Sequence, residues 1–170
     1  MSDYNIIVVV CGLPGSGKSY FAEALAQRIS AVYLNSDRIR REISRQGMYS
    51  FSDKLITYRL MSERALESVN AHRDVVVDGT FYAKAMVDIF AKMANDFRKV
   101  YFIKVVADEG LIRSRLDKPR HDSEADFDVY LKVKEQFQDL EVSHLTLRST
   151  NDNLEEMIIK GLDFLKIKNG

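Results

Sequence analysis

Residues 12–19 read Gly-Leu-Pro-Gly-Ser-Gly-Lys-Ser. The glycines at 12, 15 and 17 let successive backbone N–H groups converge on phosphate oxygens with no side chain in the way. Lys18 adds a point charge, and the Ser19 hydroxyl can ligate Mg²⁺. Gly12, four residues, then Gly17-Lys18-Ser19 fits the G-x-x-x-x-G-K-[ST] spacing of a phosphate-binding loop. Pro14, Ser16 and Tyr20 belong to the same candidate cradle for a nucleoside triphosphate. A glycine turn that only joined two elements would not need the Lys-Ser pair behind its last glycine.

A second group of residues could act on an acceptor. In Asn35-Ser36-Asp37-Arg38-Ile39-Arg40-Arg41, the three-residue spacing of Asp37 and Arg40 puts both on one helical face. There the carboxylate could take the proton of an attacking hydroxyl while the guanidinium holds a polar or anionic group. In Val75-Val76-Val77-Asp78-Gly79-Thr80 the aspartate has no glutamate beside it. Asp78 could hold the metal's water shell without supplying a base for water, which suits transfer to an organic hydroxyl. Asp78 and Thr80 are also candidate acceptor contacts. Arg113, Arg115 and Arg120 lie just before or within a polar stretch, residues 117–126. On a closing segment such arginines could neutralise charge on the transferred phosphoryl group, and Arg115 and Arg120 are preferred.

Rival chemistries leave weaker traces. The guanine signature N-K-x-D is absent. Val105-Val106-Ala107-Asp108-Glu109 resembles an ATPase strand with Glu109 polarising water, but Asp108 reads better as a helix cap with Glu109 in the first turn. No His/Cys cluster suggests zinc.

The elements that must place these groups are short apolar runs alternating with amphipathic stretches. Ile6–Cys11, Ala31–Leu34, Val75–Val77, Val100–Val106 and Leu145–Leu147 read as strands. The alternation predicts an α/β fold, a mostly parallel sheet covered on both faces. A helix from Tyr20 to Ile29 buries Phe21, Ala24, Leu25 and Ile29. Another from Asp53 to His72 turns Leu60, Met61, Leu66 and Val69 inward, and helical patterns cover Glu109–Leu116 and Asp128–Glu141. In an open parallel sheet the carboxyl ends of the strands face the ligand crevice, which puts the loop, Asp37 and Asp78 on one rim.

One hundred and seventy residues without internal repeats or low-complexity runs predict one domain, 1–170, with a lid at about 113–130. Twenty-five basic and 25 acidic residues cancel, so no global field draws in nucleic acid or an anionic membrane. The lone Cys11, at the end of a buried strand, reads as an apolar filler in a reducing cytoplasm. No apolar span or basic leader occurs, so a cytoplasmic protein with no membrane partner is expected; oligomeric state stays open.

The phosphate loop, the Asn-Ser-Asp-x-x-Arg segment, the Val-Val-Val-Asp-Gly-Thr segment and the arginine-bearing stretch through Ser123-Glu124-Ala125 occur in that order. With them the chain resembles the small P-loop kinases, nearest the polynucleotide 5′-hydroxyl kinase domain. Chloramphenicol phosphotransferase, gluconate kinase and zeta-toxin kinases are more distant relatives. The resemblance implies a three-layer P-loop NTPase fold with five parallel strands and a helical lid, ATP as donor and Mg²⁺ as cofactor. It assigns phosphate and metal to Lys18 and Ser19, the general base to Asp37, and the acceptor's phosphate or polar group to Arg40. It also assigns the acceptor or metal shell to Asp78 and the γ-phosphate to a lid arginine. Tyr20 stands where such kinases commonly place a second hydroxyl residue, and Ser-Glu-Ala replaces their Ser-Asp-Ala. Ser149-Thr150-Asn151 occupies the place where they wrap the base.

The expected activity is therefore transfer of the γ-phosphate of ATP to a hydroxyl. Because Arg38, Arg40, Arg41 and Arg45 cluster past Asp37, a polynucleotide 5′ end is the first acceptor expected, with a small metabolite or antibiotic hydroxyl close behind. A nucleotide-binding regulatory module or slow ATPase is the alternative.

Overall fold

A computed structural model describes residues 4–119 and 125–167. Five strands, β1 (Asn5–Cys11), β2 (Val32–Asn35), β3 (Val75–Gly79), β4 (Arg98–Val106) and β5 (His144–Arg148), pair in parallel in the order β2-β3-β1-β4-β5. The described helices are α1 (Lys18–Arg28), α2 (Ser36–Glu42), α3 (Phe51–Asn70), α4 (Lys84–Ala91), α5 (Glu109–Leu116), α6 (Phe127–Gln136) and α7 (Leu154–Leu165). The expected α/β arrangement, a five-stranded parallel sheet with helices on both faces, is the fold observed.

Strand alternation divides the interior in two. Ile7, Val9 and Cys11 of β1 face a core with Tyr58 and Met61 of α3 and Met86 and Phe90 of α4. Ile6, Val8 and Val10 face the opposite core with Phe21 and Leu25 of α1 and Ile158 and Leu162 of α7. A strand buried on both sides needs no polar alternation, which is why Ile6–Cys11 is a continuous apolar run. Each such side chain contributes roughly 1.5–3 kcal/mol on burial. The chain leaves β1 between β3 on one side and β4 on the other. The carboxyl end of β1 is therefore where the strand order reverses and a crevice opens.

Gly12 occupies that crevice floor. A Cβ there would stand 2.4 Å from the Val105 carbonyl oxygen of β4 and 2.8 Å from Ser16 Oγ. Backbone cannot yield as a flexible side chain would. Gly12→Ala is expected to cost about 1–3 kcal/mol, as overpacked sites do, visible as a lower urea midpoint with an unchanged slope.

The packing adjusts several sequence expectations. The inward stripe of α3 is Thr57, Tyr58, Met61, Ala65, Ser68 and Val69, whereas Leu66 is exposed and Leu60 only half-buried. In α1, Ala22 and Ala26 join Phe21 and Leu25 in the core, and Ala24 and Ile29 are half-buried. Helix α6 starts at Phe127 and stops at Gln136, short of Glu141. Beyond it, Gln138 N–H donates to Tyr82 O at 2.8 Å, and Gln138 Oε1 accepts from Lys84 N–H at 2.7 Å. The chain leaves the helix to satisfy an otherwise orphaned amide at the start of α4, whose Ala83 cap offers no side chain. Among the described residues no helix is long and apolar enough to cross a membrane.

Candidate active site

Gly15 and Gly17 adopt left-handed φ values of 77° and 89°, and Gly17 is the N-cap of α1. That backbone turns the loop 12–17 over the helix amino terminus, where unpaired N–H groups and the helix dipole favour an anion. Lys18 and Ser19 open the helix. Ser16 Oγ is buried and without a hydrogen-bond partner. Beneath the loop, Cys11 is fully buried with Sγ toward Ile103 O, and desolvation pushes its thiol up to about 12, so it packs as an inert apolar group.

On one side of the loop lies a cleft of about 540 Å³ bounded by Gly15, Gly17, Lys18, Ser19, Tyr20 and Arg115. Ser149, Thr150 and Asn151, just past β5, complete its wall. Arg115, near the end of α5, donates to Gly15 O at 3.1 Å, to Ser149 Oγ at 3.0 Å and to Thr150 O at 3.0 Å. Ser149 Oγ in turn donates to Ser16 O at 2.5 Å. One guanidinium thus ties the phosphate loop to the turn after β5, and desolvation there lowers its pKa. Tyr20 is 71 % exposed, its ring at the cleft rim. Arg113 lies over the Phe127 ring at 3.8 Å. Arg120 lies outside the described residues.

On the other side is a second cleft of about 290 Å³, whose wall includes Pro14, Lys18, Asp37, Arg40, Tyr58 and Thr80. Lys18 borders both clefts. Asp37 and Arg40 meet as their spacing predicted, with Nη1 donating to Oδ1 at 2.6 Å. The Arg40 side chain is only 5 % exposed, its Cζ sits 4.9 Å from the Tyr49 ring centroid, and among the described residues its Nε has no hydrogen-bond partner.

Asp78 is fully buried at the carboxyl end of β3 and does not line either cleft, whereas Thr80 borders the second. Asp78 Oδ2 accepts from Tyr33 OH at 2.7 Å and from Asn35 Nδ2 at 2.6 Å, while among the described residues Oδ1 has no partner. Desolvation first, and the Asp78 charge second, push the Tyr33 phenol above its usual range, so it stays a neutral donor. Asn35 Oδ1 also accepts from Arg38 N–H at 2.9 Å. Asn35, rather than Ser36 or Asp37, therefore caps α2, and one side chain joins the helix bearing Asp37 to the strand bearing Asp78. Its place at a strand-to-helix junction was the signal for this role, because asparagine is among the preferred N-cap residues.

Two further expectations change. Asp108 stands at the start of α5, but its carboxylate accepts from Arg148 Nη1 at 2.5 Å instead of capping. Glu109 accepts from Lys134 Nζ at 2.5 Å and Tyr130 OH at 3.2 Å, joining α5 to α6, and the hydrogen bond from Lys134 leads the forces that hold its pKa low. The arginine cluster past Asp37 is largely neutralised: Arg38 pairs with Glu23 at 3.3 Å, Arg40 with Asp37, and Arg45 with Asp53 at 2.8 Å.

The profile of a family described as AAA domain matches residues 7–141. No curated protein is similar enough in sequence to count as a relative. Among solved structures, a sugar kinase from Janibacter sp. HTCC2649 superposes with a TM-score of 0.75 at 18 % identity over 98 % of this chain and 96 % of that one. A gluconokinase from Sinorhizobium meliloti 1021 gives 0.73 at 21 % over 96 % and 93 %. The Mycobacterium tuberculosis APS kinase CysC, in complex with AMPPNP and APS, gives 0.76 at 18 % over 96 % and 98 %. At these identities the likeness is one of fold.

Proposed function

Because the chain belongs to the AAA domain family and has the fold of P-loop kinases, we propose that it transfers the γ-phosphate of ATP to the hydroxyl of a small acceptor. The observation that carries this reading is the position of Lys18, common to the walls of two clefts that are otherwise lined by different residues. A lysine between a donor phosphate and an acceptor hydroxyl neutralises charge on the group passing from one to the other.

In this reading the cradle of Gly12, Pro14, Gly15, Ser16, Gly17, Lys18 and Ser19 holds the phosphates, and the base lies between Tyr20, Arg115 and the 149–151 turn. The residues present fit magnesium arriving with the nucleotide in part: Ser19 borders the nucleotide-side cleft and would offer its hydroxyl, whereas Asp78, buried behind both clefts, would act on the metal's water shell rather than as a direct ligand. Mg²⁺ keeps most of its waters and asks few protein ligands, and it would offset charge on the phosphate oxygens. Asp37 orients and deprotonates the attacking hydroxyl, Arg40 and Thr80 hold the acceptor, and segment 113–130, with Arg115 and Arg120, acts as the lid. Glu109, the glutamate placed after an apolar strand, is engaged by Lys134 and Tyr130 rather than free to activate water in the manner of an ATPase.

Size favours a compact acceptor over a polynucleotide end, since the cleft is small and Arg38 and Arg45 are engaged by Glu23 and Asp53. The test is transfer from γ-labelled ATP and Mg²⁺ to sugars, sugar acids, nucleosides and a 5′-hydroxyl oligonucleotide, with a blank lacking acceptor. Label on a small hydroxyl compound is expected. Release of free phosphate alone, at equal rate in every tube, would overturn the proposal in favour of a slow ATPase.

A further inference from the structure

Among the described residues, four cationic side chains, Lys18, Arg40, Lys54 and Lys132, border the second cleft against a single carboxylate, Asp37. Lys18 is shared with the phosphate side, and Lys132 is exposed on α6. Arg40 and Lys54 are different. Arg40 gives Nη1 to Asp37 but keeps a buried Nε with no partner. Lys54, on the first turn of α3, is half-buried; among the described residues its Nζ makes no hydrogen bond or ion pair and touches only the Tyr82 ring, 4.3 Å from the centroid.

Asp37 balances the Arg40 guanidinium, so the half-buried Lys54 ammonium beside it is the charge left for a ligand to balance. Burial first and the Arg40 charge second hold the Lys54 pKa below the usual lysine value, an effect an anion would reverse. The rest of the wall includes the side chains of Tyr49, Tyr58, Val129 and Val133.

We infer that the acceptor carries, besides its hydroxyl, an anionic oxygen group that binds between Lys54 Nζ and Arg40 Nε. A carboxylate and a phosphate monoester share the required chemistry, several acceptor lone pairs on a charged group small enough for the cleft. A neutral polyol would leave the Lys54 charge unbalanced. Lys54 is then a specificity-determining residue, and the inference rests on reading this cleft as the acceptor side.

The experiment is calorimetric titration of the whole protein saturated with AMPPNP and Mg²⁺, so that the phosphate loop is already filled. The probes are gluconate, ribose 5-phosphate, inorganic phosphate as a probe without shape demands, and ribitol. At least inorganic phosphate is expected to bind and ribitol not to. Lys54→Met should weaken the anions about ten- to a hundredfold, as loss of a charged hydrogen bond does, and Lys54→Arg should restore most of it. Whether gluconate or ribose 5-phosphate gains more over inorganic phosphate separates the carboxylate from the phosphate ester. Equal binding of ribitol and the anions, no binding of inorganic phosphate, or anion binding unchanged in Lys54→Met overturns the inference. Label transferred equally to neutral polyols would sink it while leaving the kinase reading intact. Lys54-dependent anion binding with no acceptor ever labelled would do the reverse.

Discussion

Asp37→Asn is expected to slow phosphoryl transfer by roughly 10²–10⁴, the usual contribution of a positioned general base, while nucleotide affinity is unchanged. Asparagine keeps the size of the side chain and an oxygen that can still accept from Arg40, so the geometry of the pair survives and only the charge and basicity go. In a loose transition state the hydroxyl proton leaves late, and the carboxylate acts as much by orienting the nucleophile as by taking its proton. Losing the counter-charge of a buried guanidinium should also cost the fold about 1–3 kcal/mol. The rates therefore belong well below the unfolding midpoint. Measured kcat with the true acceptor, beside titration of a fluorescent ATP analogue, separates the two effects. Full turnover in the variant would remove Asp37 from the chemistry.

Lys18→Ala should fall as far for a different reason. On the proposed reading its ammonium would meet the charge that builds during transfer, and removing one such preorganised donor costs roughly 10²–10³ in kcat. Binding suffers as well, because the same charge meets the ground-state phosphates. Lys18→Arg should recover little: the planar guanidinium demands a fork geometry that the point-charge position between two clefts does not offer. Single-turnover rates with pre-bound nucleotide, set against nucleotide affinity, would show whether the loss lies in the chemical step. A rate loss fully repaired by saturating ATP would make Lys18 a binding residue only.

Much of this site was legible in the chain because local spacing determines it. The phosphate loop follows from glycine positions and the residues behind them. Asp37 and Arg40 meet because three residues along a helix return to one face, and Ser149 to Asn151 border the nucleotide cleft because they follow the last strand. What stayed hidden depends on contacts between distant segments. Arg115 could be placed near a lid, but not its bonds to Gly15, 100 residues earlier, and to the turn after β5. The half-burial of Lys54 over the Tyr82 ring is a tertiary contact, and a lysine on an amphipathic helix looks the same in sequence whether solvated or not. The arginine cluster misled for the same reason, since Glu23 and Asp53 neutralise two of its members through tertiary packing. Helices α4 and α7 carry apolar stripes, Met86, Val87 and Phe90 in one and Met157, Ile158, Leu162 and Leu165 in the other, that the 3.6-residue period could have revealed.

The two clefts meeting at Lys18 also constrain the order of events. With donor in one cleft and acceptor in the other, as proposed, the two would be resident together and the reaction would be a direct displacement in a ternary complex rather than a relay through a phosphorylated enzyme. Initial rates measured at several fixed acceptor concentrations should then give double-reciprocal lines that converge, and ADP should compete with ATP without competing with the acceptor.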